Sequence, residues 1–408
     1  MHPKQTLVCV ITSRGMAAIS SIVLAGSDAQ EILQKVFRKS SPSTPSPLPS
    51  SLLSFGATSR GTPPSQGERF TILQGSIFDD DSLIDEVVVG CESEGTVVIH
   101  CHGNPLLVER IVKLLQSHGA ELTDSETFAF ARHKKSSNNT IVAEAKLAMQ
   151  KSATLLGVKI LQAQIEGGLS TWAQRCVNNF DTLNLPDIKN ECQQILERSK
   201  VAKRIIEGVR IVIAGPPNSG KSTLLNCLAA QPQAVVSDVA GTTRDWVSIT
   251  CQLGPIRAEL IDTAGLDDTL AGKGAIGQTA QALTKELLES CDLVLYVVSA
   301  LSPQPSVLSH YTAPVVCVYN KCDLLQEHKN LGTHEPKNSE GILVSAKHNM
   351  GIDPLAQETI KRLGVSDFDT AAPVAFTSRQ QELLSAIMTE PDTAKEGLKR
   401  LLCSGNDS

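Results

Sequence analysis

The sequence lacks an excess of positive charge, regularly spaced cysteines and long apolar runs, which are typical of nucleic-acid-binding, disulfide-bonded and membrane proteins. Its net charge is −6, so it has no general attraction for nucleic acid, and an RNA contact would depend on local basic segments such as 132–135 and 198–204. Its 11 cysteines are scattered without C-x-x-C spacing, which argues against a disulfide framework or a zinc site and favours a reducing cytosol. No segment approaches the ~20 apolar residues that span a bilayer. We therefore expect a cytoplasmic chain without membrane contact.

The apolar stretch at 7–24 resembles a signal peptide superficially. Thr12, Ser13 and Arg14 interrupt it, and its uninterrupted apolar core is too short for that role. We interpret it as a strand followed by the start of a helix. The 408 residues, 41% of them hydrophobic, are enough for two or three domains with packed cores.

The segment Gly215 to Ser222 fits the P-loop pattern G-x-x-x-x-G-K-[ST], and it follows an apolar run at 209–214 that predicts a buried strand. In such a loop, backbone N–H groups surround the phosphates of a nucleotide, Lys221 neutralises their charge and the Ser222 hydroxyl ligates Mg²⁺. The following helix points its positive end at the same anion. The predicted nucleotide contacts are Asn218, Ser219, Gly220, Lys221, Ser222 and Thr223.

A second motif, D-T-A-G at 262–265, follows a predicted strand at 257–261. This position places Asp262 near the magnesium ion and the Gly265 N–H beside a γ-phosphate. The motif therefore predicts the segment that senses whether GTP or GDP is bound.

Two further motifs favour guanine as the base. Asn320, Lys321 and Asp323 belong to the N-K-C-D sequence that follows a predicted strand at 314–319. The Asp323 carboxylate can accept from the two N–H donors of a guanine edge, and adenine offers no such pair. The base pocket is closed after a predicted strand at 342–344 by Ser345, Ala346 and Lys347.

The pattern of elements predicts an α/β P-loop GTPase domain inserted in an all-α helical domain and preceded by a small α+β domain. The α+β domain is predicted at 1–120, with a Pro/Ser-rich loop at 40–66. Helical periodicity occupies 121–206 and returns at 372–408, on either side of a GTPase domain at 207–364.

These residues resemble the tRNA-modification GTPase family MnmE, also called TrmE. In the GTPase domain the likeness lies in P-N-S-G-K-S at 217–222, S-D-V-A-G-T-T-R-D at 237–245 and D-T-A-G-L at 262–266. Those motifs alone are also similar to the ribosome-assembly GTPases Era and Der. The I-H-C-H-G segment at 99–103 and S-R-Q at 378–380 resemble the flanking domains of MnmE, so the chain is identified as a divergent member of that family.

The resemblance implies two metal ions beside the phosphates. Potassium would be held by Asn218, Ser237, Val239 and Thr242, and would supply the positive charge that an arginine finger supplies elsewhere. Magnesium would be held by Ser222, Thr243 and Asp262. The groups implied in catalysis are Lys221, Thr243 and Gly265.

The sequence departs from the family pattern at the position of the attacking water. Leu266 stands where Ras-type GTPases have a water-orienting glutamine, and the glutamate that MnmE uses instead falls on Gly274. Asp267 and Asp268 are candidates to substitute, although solvation on a surface loop is the simpler interpretation. We therefore expect slow hydrolysis.

Further departures affect the folate site that the resemblance implies in the N-terminal domain. An arginine and a lysine of that site correspond to Val23 and Ser137, while its glutamate is kept as Glu94. Unless Lys134 or Lys135 compensates, we expect folate binding to be weak or absent. At the C-terminus a family cysteine corresponds to Cys403 and the terminal lysine to Asn406. The cysteine is interpreted as inert, and His100 and His102 as structural.

The leading hypothesis is a GTP-hydrolysing protein of tRNA wobble-uridine modification. The resemblance implies a homodimer that acts with the flavoprotein MnmG and tRNA. One alternative is a divergent GTP-dependent switch or scaffold that lacks folate chemistry. Another is a ribosome-assembly GTPase, although no KH-type G-x-x-G module is visible in the expected place.

Overall fold

The structure is a computed structural model that describes residues 6–12, 15–40, 71–92, 95–137, 139–230, 247–262, 286–302, 312–328 and 341–403. The chain divides into two compact units, Met1–Lys135 and Ser136–Ser408. The predicted boundary of the first domain was residue 120. The predicted loop at 40–66 lies, apart from Ser40, outside the described residues.

The first unit contains a seven-stranded sheet in the order β3-β4-β5-β6-β2-β1-β7. Its core lies against helices α1 and α2, where apolar residues recur at helical spacing, such as Ile32 with Val36 and Ile111 with Leu115. The strands are β1 (Leu7–Val10), β2 (Ile19–Ala25), β3 (Phe37–Lys39), β4 (Thr71–Asp79), β5 (Ser82–Glu92), β6 (Thr96–His102) and β7 (Glu121–Leu122), and the helices are α1 (Ala29–Val36), α2 (Pro105–Ser117) and α3 (Ser125–Ser136).

The interpretation of residues 7–24 as a strand and the start of a helix is wrong in its second half. That half forms β2, which pairs antiparallel with β1 so that Leu7 lies opposite Ala25. Ile22 and Val23 are β-branched, and such residues favour a strand over a helix. The helix begins later, at Ala29.

The second unit begins with four helices: α4 (Thr140–Lys151), α5 (Leu155–Glu166), α6 (Gly168–Asn178) and α7 (Leu185–Glu207). A six-stranded sheet follows, in the order β13-β12-β11-β8-β10-β9. Strand β8 lies between β10 and β11 and is parallel to both. The strands are β8 (Val209–Ala214), β9 (Val247–Leu253), β10 (Ile256–Asp262), β11 (Leu293–Ser299), β12 (Val315–Asn320) and β13 (Gly341–Leu343).

The other described helices of this unit are α8 (Lys221–Ala229), α9 (Asp323–His328), α10 (Ile352–Arg362), α11 (Ser378–Thr389) and α12 (Ala394–Leu402). Leu384 of α11 and Leu398 of α12 share one apolar cluster with Trp172 of α6 and Ile195 of α7. Helices from before and after the sheet therefore bury apolar surface against each other. Among the described residues, no helix is both long enough and apolar enough to cross a bilayer.

The extended segment that leads into α11 is held by two buried polar side chains. Gln164 accepts from the Val374 N–H at 3.1 Å and donates to the Ala372 carbonyl at 3.2 Å. The Ser199 hydroxyl accepts from the Ala375 N–H at 2.7 Å. Buried backbone groups must be paired, so these side chains fix where the chain returns to the helices.

A buried ion pair joins α4 to α11. The Arg379 guanidinium donates to both oxygens of Glu144, with Nε to Oε1 at 2.6 Å and Nη2 to Oε2 at 2.7 Å. Gln380 donates to Oε2 at 2.7 Å, and the Glu144 side chain is only 9% exposed. Removing the arginine would leave a carboxylate that water can barely reach.

We therefore expect Arg379→Ala to destabilise the second unit by about 3 kcal/mol, because breaking a buried pair leaves its partner uncompensated. The urea midpoint of unfolding measures this change. Lys200→Ala is the control, since it removes an exposed ion pair with Glu197, and such pairs contribute roughly 0–1 kcal/mol. Equal shifts in the two variants would contradict a stabilising role for the buried pair.

Candidate nucleotide-binding site

The predicted site residues meet at the carboxyl ends of three strands of the six-stranded sheet. The P-loop connects β8 to α8, Asp262 ends β10 and Asn320 ends β12. In open sheets of this kind, ligands bind in the crevice outside the carboxyl ends of the strands. The structure therefore brings together the P-loop, the described part of D-T-A-G and the N-K-C-D loop.

Gly220 must be glycine for two reasons. Its φ of +94° lies in the left-handed region, which a side chain disfavours. An added Cβ would also collide with Nδ2 of Asn320. The close approach lets α8 begin immediately after the loop, with Lys221 as its first residue.

Lys221 is 4% exposed, and its ammonium group lies inside the P-loop. It donates to the Gly215 carbonyl at 2.9 Å and to the Pro216 carbonyl at 3.3 Å. A buried ammonium beside the first turn of a helix is a fixed positive charge where the loop can surround an anion. The predicted role of this lysine agrees with that position.

Ser222 and Asp262 lie together as the predicted magnesium ligands require. The Ser222 hydroxyl donates to Oδ2 of Asp262 at 2.6 Å, and Asp262 is 4% exposed. Hydroxyl and carboxylate oxygens are the ligands that Mg²⁺ prefers. Nearby, Oγ of Ser219 is enclosed and has no hydrogen-bond partner among the described residues. This orphaned donor and the oxygen pair both fit a site built for a nucleotide and its metal ion.

The side chain of Asn320 connects the P-loop to the loop 345–348 by hydrogen bonds. These contacts occupy the groups that could otherwise reach the base. Its side-chain amide donates to the Ser219 carbonyl at 3.0 Å. Its side-chain carbonyl accepts from the N–H groups of Lys321 at 2.8 Å and Ala346 at 3.1 Å. The N–H of Ala346 is thereby engaged within the protein. Lys321 adds a second tie, since its Nζ donates to the Asn218 carbonyl at 2.6 Å.

Asp323 presents an ionised carboxylate beside the loop 345–348. Proximity of the Ser345 hydroxyl is the main cause that lowers the pKa of Asp323; partial burial opposes it, and its own N–H, His348 and Lys347 add smaller lowering contributions. The Ser345 oxygen is enclosed, and its geometry falls short of a full hydrogen bond. A lowered pKa keeps the carboxylate charged at neutral pH, which is the state that guanine donors need.

The sequence reasoning missed His348, whose Nε2 lies 3.8 Å from Oδ2 of Asp323. Its position directly after the S-A-K motif was the available signal. Thr223 is exposed on α8, and Lys347 is exposed within the loop 345–348, which is called the base loop below. Both lie where the motifs predict them.

Several predicted residues lie outside the described residues. They are Ser237, Val239, Thr242, Thr243, Gly265, Leu266, Asp267, Asp268, Gly274, Glu94 and Asn406. The side chains of Lys134 and Lys135 are likewise outside the description.

The two predicted departures from a folate site lie in different units, Val23 in the first and Ser137 in the second. Val23 is 2% exposed and packs with Cys9 and Phe128, so it offers nothing to an anion. Ser137 accepts a hydrogen bond from the Asn139 N–H at 3.2 Å.

His100 and His102 point to the exposed face of β6, where each is paired through its Nδ1. Nδ1 of His102 lies 2.7 Å from Oδ1 of Asp85, and Nδ1 of His100 lies 2.9 Å from Oγ of Ser21. Within the described ranges, no group of three metal-ligating side chains occurs. Cys403 is exposed at the end of α12.

A glycine-rich loop that encloses a lysine, followed by a magnesium-type oxygen pair and a carboxylate for guanine, defines the class of P-loop GTPases. The family model described as "50S ribosome-binding GTPase" matches residues 210–321. Two solved structures are similar, with TM-scores too low to add to the argument. They are Era from Aquifex aeolicus (26% identity, 44% of this chain, 64% of that chain, TM-score 0.28) and the G domain of the T. maritima FeoB iron transporter (21%, 38%, 98%, 0.27).

The likeness to curated relatives extends over the whole chain. The "tRNA modification GTPase MnmE" of Flavobacterium johnsoniae is 26% identical over 99% of this chain and 92% of its own length. The protein of the same name from Akkermansia muciniphila is 28% identical over 98% of this chain and 90% of its own length. The chain is therefore similar to MnmE proteins over nearly its whole length and carries a GTPase domain.

We expect Asp323→Asn to weaken GTP binding by about tenfold or more, because the amide cannot accept both guanine N–H donors. The same variant should gain affinity for xanthosine triphosphate, whose carbonyl replaces the guanine amino group and can accept from the new amide. Titration calorimetry with both nucleotides measures the exchange. Asp353→Asn, an exposed position on α10, is the control. An unchanged preference for GTP in Asp323→Asn would remove the assignment.

Proposed function

We propose that this chain binds and hydrolyses GTP in the modification of the wobble uridine of tRNA. The likeness to proteins named tRNA modification GTPase MnmE over 98–99% of the chain carries this proposal, because it includes the flanking regions as well as the GTPase motifs. The described residues of the nucleotide site, which belong to the P-loop, the end of β10 and the N-K-C-D loop, support GTP binding. A likeness restricted to the GTPase domain would have favoured no single pathway.

In this proposal the GTPase domain is inserted in the helical domain. The apolar cluster that Ile141 and Leu169 share with Leu384 and Leu401 supports the insertion, because it contains helices from both sides of the sheet. Movement of the GTPase domain would then reach the helices through two chain connections. The predicted domain limits remain 1–120, 121–206, 207–364 and 372–408.

The residues present fit a magnesium-dependent reaction. Ser222 and Asp262, with Thr243, would hold the metal ion, which withdraws charge from the phosphate oxygens when it is bound. Lys221 neutralises the same oxygens, and the Gly265 N–H would orient the γ-phosphate. With Gly274 at the position of the family glutamate, we expect the attacking water to be poorly oriented and hydrolysis to be slow.

Potassium would complete the charge around the phosphates. Asn218 is exposed on the P-loop, and only its backbone carbonyl takes part in a described hydrogen bond, so its side-chain oxygen can serve a cation. Ser237, Val239 and Thr242 would supply the remaining oxygens. A homodimer, the flavoprotein MnmG and tRNA are the proposed partners, in the cytoplasm. Folate is not among the proposed ligands, because the buried Val23 stands where the resemblance implies a cationic ligand.

We expect GTP hydrolysis, and pairing of GTPase domains with GDP and aluminium fluoride, to be stronger in KCl than in NaCl. The smaller sodium ion fits poorly in a site sized for potassium. Turnover assays and sedimentation measure the two effects. Asn218→Ala should abolish the difference, while Asn226→Ala, an exposed asparagine of α8, should keep it. Equal behaviour of the wild type in both salts would exclude the potassium site.

The tRNA role is tested in a strain that lacks the gene. Mass spectrometry should show unmodified wobble uridines, which the wild-type chain restores. Ser222→Ala, which loses a magnesium ligand, should restore far less. Full modification in the deletion strain would overturn the tRNA role and leave a divergent GTP-dependent switch, while GTP binding by the purified protein would be unaffected.

A further inference from the structure

A cleft with a volume of about 390 Å³ lies between α6 and α7, away from the nucleotide site. The residues that line it recur at helical spacing on both helices, which therefore turn one face each toward the cleft. The extended segment before α11 borders it at Ala371 and Pro373. The lining residues used below are Gly167, Gly168, Trp172 and Arg175 of the α6 side and Glu191 and Arg198 of α7.

Arg198 is the unusual member of this cleft. Its Nε is enclosed by protein and has no hydrogen-bond partner. Within the described part of the chain, no carboxylate forms an ion pair with its guanidinium. A donor removed from water without an acceptor costs free energy, and such donors are rare in native proteins. Because Nε is enclosed, an anion in the cleft would meet the terminal nitrogens of the Arg198 guanidinium, which lines the cleft.

The other charges in the cleft cancel each other. Arg175 donates to Oε2 of Glu191, and Nε1 of Trp172 donates to the same oxygen at 2.6 Å. The carboxylate is thereby held against α6 by two donors. The positive charge of Arg198 is left uncompensated, so the cleft favours an anion.

The helix geometry places Arg198 beside the beginning of α6. Gly168 at the beginning of α6 and Arg198 of α7 line the same cleft, and the contact of Arg175 with Glu191 joins the two helices within it. From there, Gly168 lies seven residues back along α6 and Arg198 seven residues on along α7, which is about 10 Å in each helix. Gly167 is both the C-cap of α5 and the N-cap of α6, and the Leu169 N–H donates to the Gln164 side chain at 2.8 Å. The positive charge at this end of the cleft therefore comes from Arg198.

We propose that this cleft binds a phosphate group carried by a nucleotide or by an RNA backbone. The terminal nitrogens of the Arg198 guanidinium pair with two phosphate oxygens, as its planar fork favours. The volume lies in the range of about 300–1,000 Å³ that holds small organic ligands, so it exceeds what a lone oxyanion needs. Glu191 stays outside this contact, because it is bound by Arg175 and Trp172.

This inference does not rest on the proposed tRNA role, because a small phosphate ester tests it directly. The probes are cytidine monophosphate and inorganic phosphate, titrated by calorimetry with the nucleotide site saturated by Mg²⁺ and a non-hydrolysable GTP analogue. We expect wild type and Lys200→Gln to bind alike and Arg198→Gln to bind about tenfold more weakly or worse. Lys200 is the matched control, since it lies on α7, is exposed and pairs with Glu197.

Thermal unfolding without ligand separates binding from a structural role. Arg198→Gln removes a nitrogen that has no partner, so it should melt no lower than the wild type. A variant that unfolds at a clearly lower temperature would show that Arg198 serves the packing of α7, and the inference would fail.

A second arm distinguishes the source of the phosphate. The affinity for labelled tRNA is measured by fluorescence anisotropy over a range of KCl concentrations. If the cleft holds an RNA phosphate, Arg198→Gln weakens binding and reduces the salt slope by about one, relative to Lys200→Gln. A loss confined to cytidine monophosphate assigns a free phosphate ester instead. Equal binding of all probes by Arg198→Gln and Lys200→Gln overturns the inference.

Discussion

The buried side chain of Asn320 is the contact on which the nucleotide site depends. It is 2% exposed and bonds the P-loop through Ser219 and the base loop through Ala346. The P-loop follows β8 and the base loop (345–348) follows β13, so the two loops are far apart along the chain. Because each buried donor and acceptor of Asn320 must stay paired, the loops cannot shift independently. This amide and the contact of Lys321 with the Asn218 carbonyl together fix the position of Lys221 relative to Asp323.

Helix α7 extends this rigidity to the helical part of the second unit. Its beginning packs through Ile188 and Cys192 into the cluster of the helices, and its end packs through Ala202 and Ile205 into the core of the sheet. One helix thus belongs to two cores. The chain returns to the helices at 372–375, where Gln164 and Ser199 bind its backbone. A displacement of the sheet would pass to the helices at both places.

Val23, one of the positions at which this chain departs from the MnmE pattern, lies at an expected ligand position and is packed without strain on the surrounding core. Val23 belongs to the core around Cys9 and Phe128, and a cation there would have no solvent and no partner. By contrast, the ion pair of Glu144 and Arg379 connects α4 to α11. Loss of the arginine would leave the Glu144 carboxylate buried without its partner. An apolar residue at the position of Val23 keeps the surrounding packing, whereas the loss of one partner of the Glu144–Arg379 ion pair would destabilise the contact between α4 and α11. The core of the first unit is therefore complete with an apolar residue at this position.

The sequence by itself determined the strands that precede each motif and the helical periodicity on both sides of the sheet, and it predicted Lys221, Ser222, Asp262 and Asp323 as site residues. These features depend on local spacing, which a single chain displays. It could not determine that the end of 7–24 forms a strand, because β2 exists through its pairing with β1 and β6. Nor could it show that Asn320 ties loops, that His348 lies beside Asp323, or that Arg198 lacks a partner. Those facts depend on which side chains meet across the fold, and only the tertiary structure decides that.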